Sequence, residues 1–259
     1  MICRKYNVFS YLKKNNFTAT MDTIKDKFAL VTGATKGMGR AISFALVREG
    51  YALIACARSQ ANLDQLQKDI QESIPAAKVY VQSCDFSYPA QIITLLDWVK
   101  AMGFQIDVLV NNVGLFVPGR LLDEPEDQLA KHLQVNLFSS HQLSIAIGRQ
   151  MRGNQSGHIF NISSIASREA VASAGSYTIS KYASAGLTAV LRQELQKDNI
   201  KVTEIIPGST LTSSWEGTTV PSEDFILPED IARALISVLQ MSAGANVDEI
   251  VIKPIKGQI

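Results

Sequence analysis

From residue 27 onward, short apolar runs alternate with longer stretches in which apolar residues recur every three or four positions. The short runs fit strands buried on both faces, and the longer stretches fit amphipathic helices. This alternation predicts strands at 28–31, 51–56, 78–83, 106–110, 158–162, 200–206 and 248–252. It predicts helices at 41–49, 61–73, 91–101 and 126–151, one that carries Tyr177 and extends to 197, and one at 228–240. Ile42, Ala45 and Leu46 share a face of the first helix, and Asp123 and Pro125 signal the start of the long fourth one. Regular alternation of this kind requires right-handed β-α-β crossovers and a parallel sheet covered on both faces. The expected fold class is α/β: a single doubly wound domain with a seven-stranded parallel sheet flanked by helices and ligands at the carboxyl ends of the strands. No internal repeat, low-complexity segment or Ser/Gly linker divides it.

Residues 1–26 break the pattern and form an N-terminal extension to the domain at 27–259. Their first 20 residues carry Arg4, Lys5, Lys13 and Lys14, no acidic residue and little periodicity. Three readings fit: an organelle-targeting leader, a disordered basic arm, or translation from an upstream start with Met21 as the initiator. The last is favoured, because the fold proper begins a few residues after Met21.

Hydrophobic residues at 46% with charged residues at 19% describe a globular chain able to bury a substantial core. A formal net charge of +1 gives no reason to expect nucleic acid or an anionic membrane as the main partner. No apolar run reaches the roughly 18 residues that would suggest a membrane span. Cys3, Cys56 and Cys84 are odd in number and far apart, without C-x-x-C or metal-ligand spacing. They read as reduced thiols in a cytoplasmic protein, and no metal site is expected.

Gly33, Gly37 and Gly39 lie between the first strand and its helix, spaced G-x-x-x-G-x-G. Glycines there let the chain turn tightly and bring its backbone against a pyrophosphate at a helix N-terminus. The order of strand, glycine loop and helix makes this a Rossmann-type nucleotide fold, although the spacing differs from G-x-G-x-x-G. The second strand ends at Ala57 and Arg58, where an NAD-binding fold usually carries an acid for the adenosine ribose. Arg58 cannot accept a hydrogen bond, but its guanidinium suits a 2′-phosphate, and Lys36 in the glycine loop adds a second positive charge. The expected cofactor is NADP(H). As a plainer alternative, both residues are solvated surface charges.

Three polar residues further along belong together chemically. Ser164 and Tyr177 are 13 positions apart, and Lys181 follows four later. On a helix, that last spacing stacks the lysine ammonium beside the phenol. A free phenol ionises near pH ~10, and a neighbouring cation lowers that value. Tyr177 is then a candidate general acid or base, with the Ser164 hydroxyl holding a substrate oxygen. Taken alone, Tyr-x-x-x-Lys is also a common surface pair.

Together these residues resemble the short-chain dehydrogenase/reductase family from about Lys27 onward. Thr32, Gly33, Gly37 and Gly39 match its T-G-x-x-x-G-x-G motif, which here encloses Thr35, Lys36 and Met38. Asp85, followed by Phe86, matches the adenine-contacting position. Asn111, Asn112 and Gly114 match N-N-A-G, with Val113 in place of alanine. Asn136, Ser164, Tyr177 and Lys181 match the catalytic positions; Pro207 and Gly208, with Thr210 and Thr212 after them, match the turn beside the nicotinamide. The resemblance implies hydride transfer between nicotinamide and a carbonyl or secondary alcohol, with Tyr177 moving the proton and Ser164 holding the oxygen. It implies that Lys181 binds the nicotinamide ribose and that Asn136 holds a water linking Lys181 to solvent. It further implies a homo-oligomer, tetramer or dimer, built on the Tyr177 helix and the helix at 126–151. The latter shows spare apolar residues in Leu133, Leu137, Phe138, Leu143, Ile145 and Ile147.

The chain ends NVDEIVIKPIKGQI rather than in a glycine-rich V-D-G-G stretch. That ending resembles the branch acting on small carbonyls and hydroxy acids more than the acyl-carrier-protein reductases. Leu115, Phe116 and Ile165 are substrate-pocket candidates by position. Trp215 either walls the pocket or packs on its own loop, and Arg168 either pairs with a substrate carboxylate or is merely solvated. His132, His141 and His158 show no ligand spacing, and no G-x-S-x-G elbow makes Ser164 an acyl nucleophile. Cys56 and Cys84 read as core packing. The expected activity is an NADP(H)-dependent oxidoreductase acting on a small-molecule carbonyl or alcohol. Its rivals are a 3-oxoacyl thioester reductase and a non-catalytic NADP-binding regulator.

Overall fold

The computed structural model describes residues 26–259; residues 1–25 of the expected N-terminal extension, and Cys3 with them, lie outside the described residues. The elements are β1 (Phe28–Thr32), α1 (Gly37–Arg48), β2 (Ala52–Ala57), α2 (Gln60–Ser73), β3 (Val79–Ser83), α3 (Pro89–Ala101) and β4 (Ile106–Asn111). They continue with α4 (Gln128–Leu133), α5 (Ser139–Asn154), β5 (Gly157–Ile162), α6 (Gly175–Leu195), β6 (Ile200–Pro207), α7 (Pro228–Leu239) and β7 (Glu249–Ile252). The seven strands form one sheet in the order β3-β2-β1-β4-β5-β6-β7, and every pairing is parallel. This is the expected doubly wound α/β fold. The chain winds outward from β1 to β3, then returns to the other side at β4, so a crevice opens between the ends of β1 and β4.

Strand side chains alternate between two cores. Ala29, Val31, Leu53 and Ala55 pack with α1, α2 and α7 on one face of the sheet. Leu30, Ile54 and Leu109 pack with Ile92 and Leu95 of α3, Leu143 and Ile147 of α5, and Leu191 of α6 on the other. Cys56 and Cys84 are buried free thiols of that second core, and burial pushes both thiol pKa values up. Leu143 and Ile147 are therefore intramolecular core residues and leave the set expected to cover a partner subunit.

Two elements depart from the periodicity. α1 begins at Gly37, so two of the loop glycines form its first turn. The long helix expected at 126–151 is interrupted by a wide π turn at Gln134–Phe138 between α4 and α5.

The crevice is held at its base by Thr32. Its buried hydroxyl donates to the Val110 carbonyl at 3.3 Å and accepts from the Asn112 and Val113 amides at 2.9 and 3.0 Å. The Asn112 side chain returns a bond to the Thr32 carbonyl at 2.8 Å. Thr32 thus works behind the crevice and not on its surface. Thr32→Val keeps the shape but strips two amides of their acceptor, so urea denaturation is expected to show a loss of about 2–4 kcal/mol. A loss below about 1 kcal/mol would mean that those amides find other partners.

Candidate active site

The glycine loop closes over the end of β1. Gly33 has φ 64°, in the left-handed region that favours glycine. A side chain on Gly39 would run into the Gly33 carbonyl and the Asn112 amide. No side chain caps α1 and no acid occupies its first turn, so its amides remain available to an anion. Lys36 and Arg58 are exposed, and neither has a carboxylate partner among the described residues, whereas Arg40 is paired with Asp69 at 2.8 Å. Asp85, past the end of β3, accepts from the Ser87 amide and hydroxyl at 3.0 and 2.6 Å.

The loop after β6 reaches the same place. The Thr212 methyl lies 3.0 Å from where a Gly37 Cβ would stand. Thr210 is buried, with its hydroxyl on the Gly208 carbonyl at 3.0 Å, and Gly208 follows Pro207 at the end of β6 with the Gln258 side chain against it. Thr35 is half-buried and Met38 packs on the core. Phe86, expected beside the cofactor, turns its side chain into the second core.

The other half of the site sits at the start of α6. Glu124 bonds to the Ser176 amide at 3.1 Å and to its hydroxyl, placing an acid at the N-terminus of this helix. Gly119 pairs with Ser173 and Gly175 through backbone bonds of 2.8 and 2.9 Å. The loop after β4 is thereby fastened beside Tyr177. Phe116, 48% exposed, meets the Tyr177 ring edge-on with centroids 4.9 Å apart. His132 accepts from the Val117 amide through Nε2 at 3.3 Å, which leaves the proton on Nδ1 for the Gln128 carbonyl at 3.1 Å. It braces the loop as a buried neighbour 6.0 Å from the Tyr177 ring.

The structure brings Ser164, Tyr177 and Lys181 together. Ser164 follows β5 in extended backbone, accepts from the Ala166 amide at 3.2 Å and stands close enough to the Tyr177 phenol to influence its ionisation. Lys181 Nζ is buried 5.7 Å from the centre of the Tyr177 ring and donates to the Ile162 carbonyl at 3.2 Å. Burial lowers the Lys181 pKa from 10.5 to about 8, with Glu204 opposing the shift. Burial also raises the Tyr177 pKa, and the opposing influence there is Ser164. The direction at Tyr177 is opposite to the lowering expected from Lys181, because desolvation by burial is the largest influence on the phenol.

Asn136 occupies the π turn. Its Oδ1 accepts from the Leu115 amide at 2.7 Å, and its Nδ2 donates to the Leu115 carbonyl at 3.0 Å and to Ser180 Oγ at 2.9 Å. Its backbone carbonyl accepts from Ser184 at 3.0 Å. A side chain on Gly114 would stand 3.7 Å from Asn136 Oδ1 and 4.0 Å from Lys181 Nζ. Beneath lies a polar cavity of about 10 Å³ lined by Asn111, Asn136, Asn161, Lys181, Ser184 and Thr188. Among the described residues Asn111 Oδ1 and Ser163 Oγ, both lining this cavity, have no hydrogen-bond partner, while Asn136 is engaged in joining the loop to α6.

Two substrate candidates are resolved differently. Arg168 pairs with Glu204 at 3.3 Å and with Glu249, so it is no free receptor for a substrate carboxylate. Trp215 packs edge-on against Phe225 of its own loop, with centroids 5.0 Å apart. Ile165 is half-buried in the turn after Ser164. Among the described residues no group of three His, Cys, Asp or Glu could hold a metal, and no helix is long and apolar enough to cross a membrane. His158 stacks on Phe160 at 3.9 Å and bonds to Thr203 at 2.8 Å, and burial lowers its pKa to about 3. Glu124, Glu204 and Asn161 were not expected at the site; a lone acid inside the apolar run of β6 is the signal that marked Glu204.

The Lys181 shift carries a pH signature. Below pH 8 both folded and unfolded chains carry the proton, and the cost of burying the charge is complete. Between about 8 and 10.5 only the unfolded chain keeps it, so stability rises with pH. Relative to Lys181→Met, the wild type is expected to gain about 3 kcal/mol across that window in urea denaturation. A stability difference that is flat with pH would contradict this.

Comparison with known proteins places these features in a family. The family model described as short chain dehydrogenase matches residues 27–220. An uncharacterized oxidoreductase of Staphylococcus saprophyticus is 31% identical over 235 residues, covering 91% of this chain and all of that protein. The solved structure of an alcohol dehydrogenase from the archaeon Thermococcus sibiricus, complexed with 5-hydroxy-NADP, is 25% identical with TM-score 0.82, covering 91% of this chain and 99% of that one. A metagenomic short-chain oxidoreductase in complex with NADP is 28% identical with TM-score 0.77, covering 88% of this chain and 96% of that one. The glycine crevice and the Ser164, Tyr177, Lys181 cluster stand on a chain that belongs to the short-chain dehydrogenase family.

Proposed function

We propose that the chain is an NADP(H)-dependent oxidoreductase interconverting a small carbonyl compound and its alcohol. The observation that carries this reading is the convergence of Ser164, Tyr177 and Lys181 beside the glycine crevice. The crevice fits a dinucleotide: uncapped amides open α1, and Gly33 and Gly39 keep side chains out of the fold's closest backbone approach. Lys36 and Arg58, exposed and without carboxylate partners among the described residues, would hold a 2′-phosphate. The NADP in the two solved relatives supports the same choice. Gly37, Thr212, Asn112, Val113, Gly114, Pro207 and Gly208 would line the remainder of the coenzyme, and Asp85 would meet its adenine. Bound there, the nicotinamide supplies or accepts the hydride.

The proton is handled by the chain itself. Tyr177 would donate it to the carbonyl oxygen, while Ser164, beside the phenol, would hold that oxygen in line. Lys181 would favour the phenolate that forms, and it would also bind the nicotinamide ribose. The 10 Å³ cavity at Asn111, Asn136 and Lys181 has room for about one water to return the proton. Phe116 over Tyr177 supplies an apolar wall, and with Arg168 already paired the site favours uncharged carbonyls.

We also propose a cytoplasmic homo-oligomer. Phe138, Ile179, Tyr182 and Val190 are exposed apolar residues in the π turn and on α6. Size-exclusion chromatography with light scattering should give a dimer or tetramer that Val190→Glu dissociates. A monomeric wild type would end this reading.

The activity is tested by loss of NADPH absorbance against acetoacetyl thioesters, small β-keto acids, diketones and aromatic aldehydes. Turnover of at least one neutral carbonyl is expected, slower with NADH, and about 10²–10⁴-fold lower in Tyr177→Phe. Preference for NADH would overturn the coenzyme assignment, and a preferred acyl thioester would point to a 3-oxoacyl reductase. Tight NADPH binding without turnover across the panel would favour a regulator.

A further inference from the structure

One charged side chain stands inside the sheet. Glu204 lies in β6 with 1% of its surface exposed. It is in register with Asn161 of β5 and Glu249 of β7, and Asn161 is in register with Asn111 of β4. Residues in register on parallel strands point to the same face. Asn111 bonds to Ser144 of α5 at 2.9 Å and to Asn161 at 2.8 Å, and Asn161 bonds to Thr188 of α6 at 2.8 Å. The four residues therefore form a polar row across the sheet, under the helices that carry the candidate site.

A carboxylate buried there needs partners. Glu204 has two in the turn that follows Ser164: Ser167 Oγ at 3.5 Å and the Arg168 guanidinium at 3.3 Å. Arg168 also pairs with Glu249, so one guanidinium serves two carboxylates and the trio carries a net charge of about −1. One residue further along, Ile162 is in register with Ile205, and the Ile162 carbonyl is the acceptor of Lys181 Nζ. The lysine charge thus sits one step along the neighbouring strand from Glu204, and the four charged groups sum to zero.

We propose that Glu204 is a positioning residue of the site: buried itself, it forms with the more exposed Arg168 and Glu249 an anionic trio that holds Lys181 as a cation beside Tyr177. The proposal rests on the acid–base reading of Tyr177 and Lys181. The charged and titratable groups facing this region are Tyr177 on the same helix as Lys181, His132 on α4 beside Tyr177, Glu204 on β6, Arg168 in the turn and Glu249 on β7. Glu204 is also the group that opposes the effect of burial on Lys181. Nothing in the proton transfer itself requires a carboxylate at this position, which makes the trio separable from the reacting groups.

Protein labelled with [13C]lysine allows the Lys181 Cε resonance to be followed with pH and assigned by its loss in Lys181→Met. Glu204→Gln keeps the side-chain shape and an acceptor for Arg168 but removes the charge. The Lys181 midpoint is expected to fall by about one pH unit or more and to recover in Glu204→Asp. Arg168→Gln, at a half-exposed position, unmasks the two carboxylates and is expected to raise the same midpoint. Unmoved midpoints in both variants, or a shift of opposite sign in either, would overturn the proposal. Once a reduced carbonyl is in hand, Glu204→Gln should also move the alkaline limb of kcat/KM for NADPH-dependent reduction to lower pH by a similar amount. The resonance needs no turnover, so the two failures separate. An unmoved midpoint counts against the trio alone, whereas a Tyr177→Phe variant that reduces carbonyls like the wild type counts against the acid–base reading beneath it.

Discussion

A lysine held away from water is the constraint that this site answers to. An ammonium group loses several kcal/mol of hydration on burial, and the protein must return it through fixed dipoles and charges. Around Lys181 those are the Ile162 carbonyl, the polar cavity with Asn111 and Asn161, and the carboxylate of Glu204. These groups come from β4, β5 and β6, so the surroundings of Lys181 depend on the observed register of those three strands. The same packing that makes Lys181 costly is what brings it within reach of Tyr177. Stability and chemistry are therefore opposed at one residue.

The topology explains why so many loops meet here. Reversal of the winding at β4 leaves the carboxyl ends of β1 and β4 side by side, and Thr32 joins them through its hydroxyl. The loop after β6 returns to touch the glycine loop at Thr212 and Gly37. The loop after β4 is fastened to the start of α6 by Gly119, Gly175 and Glu124. Phosphate-binding backbone and acid–base side chains thus share one rim, although they are far apart in the chain.

Strand and helix alternation was legible because buried parallel strands are uniformly apolar and helices are not. The Tyr177–Lys181 pair was legible because i, i+4 spacing is local geometry. What sequence could not supply was the outcome of competition between nearby groups. Arg168 looks like a free cation until its two carboxylates, 36 and 81 positions away, are brought beside it. Tyr177 looks like an acidified phenol until its ring is found buried, where desolvation raises its pKa. Leu143 and Ile147 read as interface residues until their side chains are found in the core. These errors share one cause: periodicity says which face a residue occupies, not what stands opposite it.

The π turn at Gln134–Phe138 amounts to one extra residue spliced into an otherwise regular helix. Removing a residue there would heal the hydrogen-bond ladder and rotate everything on one side of it by about 100°. Asn136 would then leave Leu115 and Ser180, and its carbonyl would no longer reach Ser184. A redesign guided by helix regularity alone would select that deletion as an improvement, and the resulting protein would keep its core while uncoupling the two rims of the cleft.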